Sequence, residues 1–199
     1  MHTFTGTDMD FFAMLITEPR EALRLMPLSD TGYRGFWVLL LALVSMSAGG
    51  WLFGHPPALP SPFIYLVFGT ISRFVFITFL ILIFSALYHY FAEMFGGKGG
   101  GMSLFKALPY SSLPFVFTAP AALIIKAIWP RSGGSFLAAA YILLAVWSLY
   151  FQIGIIKNMY DVPPHSAAAV FIIPWAAAFA ALVLMAVSAA VPVAAYILS

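Results

Sequence analysis

Apolar residues run through this chain in long, nearly unbroken stretches, not in the alternation of a strand or the single stripe of a soluble helix. The first stretch, GFWVLLLALVSMSAGGWLF at 35–53, is long enough for a helix to cross a hydrocarbon core of about 30 Å. Trp37 and Trp51 stand near its two ends, as an aromatic belt predicts. The second stretch, 63–94, is too long for one upright crossing. It reads as a core span over 74–94 preceded by FIYLVFGTIS, which either extends a tilted helix or lies at the interface. A third span covers 108–129, carries Pro109, Pro114 and Pro120, and ends at Trp129. The fourth is 135–156 and the fifth 167–190. The pattern predicts an all-α, polytopic integral membrane protein, with a bundle of five transmembrane helices in a domain of residues 35–199.

Residues 1–34 form a segment ahead of the first span. Thr17 can cap a helix there, with Glu18 and Pro19 in the first turn, where acids and proline suit unpaired amides. Ala22, Leu23, Leu25 and Met26 then interleave with Arg20, Glu21 and Arg24. That mix predicts a short amphipathic helix lying in the interface, its arginines toward headgroups; the plainer alternative is an irregular juxtamembrane segment. In spans four and five, Ala138, Ala139 and Ala140 and Ala176, Ala177, Ala180 and Ala181 include small residues four apart. Such spacing lets helices approach closely in lipid, although an alanine-rich composition alone would also produce it.

Composition turns the pattern into a class. Hydrophobic residues make up 63% of the chain and charged residues only 8%, far below the roughly one quarter typical of soluble domains. The lack of cysteine excludes disulfides, thiolate metal sites and cysteine nucleophiles. A net charge of +2 with no basic cluster gives nucleic acid no footprint. The first apolar stretch starts too far from Met1 for the h-region of a cleavable signal, so it reads as a retained span. Arg20, Arg24, Arg34, Lys98, Lys106 and Lys157 fall on the side of the N-terminus and of the loops after spans two and four. Only Lys126, Arg131 and Arg73 fall at or near the other side. The positive-inside rule therefore predicts a cytoplasmic N-terminus and an extracytoplasmic C-terminus.

Candidate chemistry gathers in HYFAEMFGGKGGGMSLFKALPYSSLP, residues 89–114. A phosphate-binding P-loop needs G-x-x-x-x-G-K-[ST] between a strand and a helix. Here Gly97-Lys98 is followed by Gly99, and Ala92 occupies the first glycine's place, so that reading fails. What remains is a hinge, with Gly96 and Gly97 ending span two through backbone angles open to glycine. His89 and Glu93 are i,i+4 on one helix face, and KNMYDVPPHS supplies Asp161 and His165 on the same side of the membrane. Two histidines and two carboxylates could hold zinc or another divalent ion, the one cofactor to be considered. The structural alternative is helix-end residues reaching to water and a turn before a helix start. Pro109 and Pro114 bracket Tyr110, Ser111 and Ser112. A proline-broken helix beside hydroxyls is where transporters bind substrate, although prolines also suit a helix start. Arg73 reads as an outer-boundary residue whose guanidinium snorkels, and Gln152 as a hydrogen-bonding partner for a neighbouring helix. No Ser/His/Asp set, H-E-x-x-H or acidic relay at membrane depth is present.

Three places resemble the Yip (Ypt-interacting protein) domain family of five-span membrane proteins, in its bacterial form. TEPREALRLM at 17–26 looks like the family's N-terminal element. LYHYFAEMFGGKGGGMSLFKALPYSSLP at 87–114 is similar to its central signature: a histidine on span two, a Gly-Gly loop, then alanine-x-proline-tyrosine-x-x-x-proline opening span three. WSLYFQIGIIKNMYDVPPHSAAA at 147–169 resembles the fourth span and the histidine loop after it. Eukaryotic relatives are associated with Rab-type GTPases and vesicle traffic, and the resemblance carries over no catalytic residue. Bacterial members generally lack an assigned function, and the leading expectation for this chain is a non-enzymatic bacterial inner-membrane protein acting as a scaffold or adaptor. The cytoplasmic face, with His89, Glu93, the glycine loop, Asp161 and His165, would meet a protein partner or headgroup. The alternative is a transporter or channel-like protein for a small solute, ion or lipid using span three, and a more distant one is a metal-dependent membrane enzyme.

Overall fold

Long apolar runs have nowhere to satisfy their backbone in lipid except within themselves, and the chain folds accordingly. The computed structural model describes residues 8–25, 33–54, 62–130 and 132–198, and every regular element among them is helical. In order these are α1 (Asp8–Thr17), α2 (Pro19–Leu25), α3 (Arg34–Gly54), α4 (Pro62–Met94), α5 (Gly101–Ala107), a 3-10 segment (Leu108–Phe117), α6 (Thr118–Ile128), α7 (Gly133–Tyr160) and α8 (Pro164–Leu198). Five stretches are long and apolar enough to cross a membrane: Arg34–Phe53, Phe63–Met94, Gly101–Ile128, Gly133–Tyr160 and Pro164–Ser188. Met26, the 55–61 connection and Arg131 lie outside the described residues, as do the side chains of Arg20 and of 189–199.

The open alternative for 63–94 is settled in favour of one continuous helix. At about 1.5 Å per residue its 33 residues extend about 50 Å, well beyond the hydrocarbon thickness. The N-terminal segment holds two helices where the sequence pattern predicts one. Thr17 is not a cap: its hydroxyl donates back to the Ala13 carbonyl at 3.0 Å, inside α1. Glu18 opens α2 instead, its carbonyl accepting from the Glu21 and Ala22 amides at 3.1 Å. Leu15, Ala22 and Leu23 are buried, so α1 and α2 dock on the bundle as well as bordering it.

Close helix packing comes from α3, not from the alanines of spans four and five, most of which face outward. A Cβ built on Gly35 would lie 3.0 Å from the Lys106 carbonyl and from the Tyr110 ring; one on Gly49 would meet Thr118 Cγ2 at 2.9 Å. Gly35, Ala42, Ser45 and Gly49 thus form the strip on which the 3-10 segment and α6 rest.

The third span begins at Gly101, seven residues before its expected start, so Pro109 and Pro114 sit within it, not at its opening. Prolines at 109, 114 and 120 remove three amide donors from the α-helical ladder within twelve residues. The backbone answers with ten residues of 3-10 helix, long for that conformation, in place of the broken helix or helix start that the prolines suggest in sequence. Val116 is four residues before Pro120, so its carbonyl has no helical donor. Ser45 of α3 resolves this: its hydroxyl donates to the Val116 carbonyl at 2.7 Å and accepts from the Ala119 amide at 2.8 Å. The core cluster sits largely toward one end of the bundle, where Leu15, Leu23, Tyr88, Leu104 and Tyr160 converge.

Candidate functional site: a glycine clasp around Tyr160

Helix α4 ends in a Schellman motif. The Gly97 amide donates to the Ala92 carbonyl and the Gly96 amide to the Glu93 carbonyl, each at 2.9 Å, with Gly96 at φ +81°. Helix α7 ends with a comparable turn built on Asp161, at φ 52°, with the Val162 amide reaching the Lys157 carbonyl at 3.2 Å. A short aspartate tolerates that left-handed backbone better than most side chains. The two helix ends are joined where the Lys98 amide donates to the Tyr160 carbonyl at 3.3 Å.

Residues 97–100 form no regular element, and Gly100 before α5 is extended, with φ −101° and ψ 134°. The face at 97, 99 and 101 is turned to Tyr160 and His89. A Cβ at Gly97 would lie 2.9 Å from Tyr160 Cβ; at Gly99, 2.5 Å from the Met159 carbonyl; at Gly101, 2.9 Å from His89 Cδ2. Only Gly96 is needed for its backbone angle; the other three are needed for the absence of a side chain. The expected hinge is therefore a tight clasp. Gly96→Ala meets no atom within 4 Å and should cost only about 1 kcal/mol of conformational strain. Gly99→Ala must displace backbone and ring and should cost about 2–3 kcal/mol. Thermal unfolding in detergent, followed by helical circular dichroism, separates the two; equal effects would remove the close-packing account.

Tyr160, 1% exposed, is the clasped residue. Its hydroxyl lies 2.9 Å from His89 Nδ1, and His89 Nε2 lies 3.6 Å from Glu93 Oε1. With the imidazole proton on Nε2, the phenol donates to Nδ1, while the carboxylate at 3.6 Å from Nε2 lies beyond hydrogen-bond distance and within reach of an ion pair when the ring is protonated. Exposure rises along this chain, to 33% for the His89 side chain and 60% for Glu93. The structure thus brings together His89, Glu93, Gly96 and Gly97, and joins them to a tyrosine outside the expected set. Asp161 and His165 are exposed on the neighbouring turn and at the start of α8. Among the described residues no group of three or more His, Cys, Asp and Glu side chains is arranged to hold a metal, so His89, Glu93, Asp161 and His165 do not form the zinc-type ligand set considered from sequence. Asp161 acts as a helix cap instead.

Pro109, Tyr110 and Pro114 are buried, and the Tyr110 ring lies against Gly35 of α3. Ser111 donates to the Leu108 carbonyl at 2.8 Å and, with Gln152, Tyr88 and Trp175, borders a cavity of about 130 Å3. Trp175 donates to the Tyr88 hydroxyl at 3.0 Å, bracing α8 to α4. Arg73 turns inward rather than snorkelling freely: it donates to Ser47 at 2.9 Å, and Thr70 donates to the same oxygen at 3.3 Å.

Sequence comparison completes the picture. No curated protein and no solved structure matches the chain. The family model described as Yip1 domain matches residues 12–185, which takes in the latter part of α1, all of α2, the clasp and all but the last part of α8. The chain belongs to the Yip1 domain family.

Proposed function

We propose that this membrane protein is a non-enzymatic scaffold or adaptor whose clasp face is cytoplasmic and engages a protein partner through His89 and Glu93. The observation that carries this reading is the gradient of access along Tyr160, His89 and Glu93. The phenol at the inner end is sealed among glycines, so it offers no substrate a nucleophile or base, whereas the outer end displays a carboxylate. Such a group is open to a partner, because it stands exposed beside a histidine that can add its charge. Membership of the Yip1 domain family and the charge asymmetry of the loops support the same face.

The test uses a photo-crosslinking residue at Met94, which is 67% exposed beside Glu93. A discrete protein adduct is expected in the native membrane, lost on His89→Ala/Glu93→Ala while helical content is unchanged. No adduct, or one indifferent to the double substitution, overturns the reading. The cavity beside Ser111 and Gln152 favours a second reading, a transporter or channel-like protein for a small solute or ion. In that case Ser111→Ala and Gln152→Leu would change flux into liposomes loaded with the reconstituted protein.

A further inference from the structure

A groove separate from the clasp runs between α2, α7 and the start of α8. Its volume is about 650 Å3. Tyr150, Ile153, Gly154, Lys157 and Asn158 line it from α7, at spacings of three and four that place them on one helix face. From Tyr150 to Asn158 the wall extends about 12 Å along the helix axis. It passes from aromatic and aliphatic at the membrane-depth end to cationic and amide at the α7 terminus.

The opposite wall is α2, which buries Ala22 and Leu23 against the core. Leu23 sits in the notch left by Gly154, where a Cβ would lie 2.6 Å from Leu23 Cδ1. That contact sets α2 close to α7 and leaves Arg24 and Glu21 facing the groove. The Asn158 amide is pinned to the Gly154 carbonyl at 2.9 Å, which keeps the floor polar at this level. Two cations against one carboxylate give the groove a net charge of +1.

We propose that this groove holds one anionic glycerophospholipid, its phosphodiester between Arg24 and Lys157 and its upper acyl chain along Ile153 and Tyr150. Three observations converge on that occupant. The polar-to-apolar gradient runs along a membrane-spanning helix, as the parts of a lipid do. The net charge complements a single phosphodiester. The groove also lies at the end of a helix long and apolar enough to cross a membrane, where a headgroup layer is expected, so the ligand need not leave the bilayer. The inference goes beyond the clasp reading and does not depend on it.

Native mass spectrometry of the full chain in detergent, with added phosphatidylglycerol or phosphatidylcholine, tests it. One phosphatidylglycerol per chain should be retained in preference to phosphatidylcholine. Arg24→Gln/Lys157→Gln should weaken it by about 25-fold at low salt, about fivefold for each cation removed. Lys126→Gln, a cation outside the groove, should leave it unchanged. Glu21→Gln should strengthen retention, and this variant decides the matter if the double variant fails to fold. Equal retention of both lipids, indifference to these substitutions, or displacement by millimolar inorganic phosphate overturns the proposal, the last by showing a free-phosphate site.

Discussion

Tyr160→Ala is expected to lower the stability of the folded protein by about 3–5 kcal/mol, the range for emptying a buried aromatic site. The ring fills the space framed by Gly97, Gly99 and His89, and those glycines have no side chains with which to close the void. The loss should be concentrated in the clasp, so the 96–101 loop should become open to protease while the remaining spans stay helical. Tyr160→Phe keeps the ring and removes only the bond to His89 Nδ1, so about 1 kcal/mol is expected. Denaturant unfolding in micelles and limited proteolysis read both effects. An alanine variant as stable and as resistant as the parent would show that the clasp is not a structural centre.

The second large effect is expected at Ser45. Ser45→Ala removes both partners that the 3-10 junction has found, leaving the Val116 carbonyl and the Ala119 amide unsatisfied at membrane depth. At about 1–3 kcal/mol for each buried orphan, the expected cost is about 2–6 kcal/mol. A double-mutant cycle identifies the cause. Pro120→Ala restores an amide four residues beyond Val116, so Ser45→Ala should cost at least about 1 kcal/mol less in that background. Additive effects would mean that the serine acts through something other than the missing proline amide.

Much of the fold is legible in the sequence, because a hydrocarbon solvent leaves so few alternatives. Five runs of apolar residues become five spans, and the long second run extends as one helix. The site is legible in part. His89 and Glu93 share a face because i,i+4 geometry is local, and the failed P-loop spacing removes phosphate chemistry. Tyr160 is not legible, since its importance rests on contacts to His89, 71 positions away, and on glycines whose role is to be small. The glycines at 97, 99 and 101 were the available signal: so many positions without a side chain in one short loop suggest that something large lies against it. Ser45 is hidden for a similar reason. Pro120 announces an orphaned carbonyl at Val116, but no local rule says which helix will supply the hydroxyl. Alanine spacing misleads in the other direction, because small residues that face lipid look the same in sequence as small residues that face a helix.

The 3-10 segment sets a length as well as a path. It rises about 2.0 Å per residue where an α-helix rises about 1.5 Å, so its ten residues reach about 5 Å farther than the same stretch would as α-helix. That is close to one full helical turn. Rewinding residues 108–117 into an α-helix would draw α5 and the glycine loop toward the membrane centre by that amount. Gly97 and Gly99 would then stand one turn out of step with Tyr160. Prolines at 109 and 114 oppose the rewinding, at about 3 kcal/mol for a proline in a helix interior, so two rings in the third span act as a spacer that keeps the loop in register with the end of the fourth.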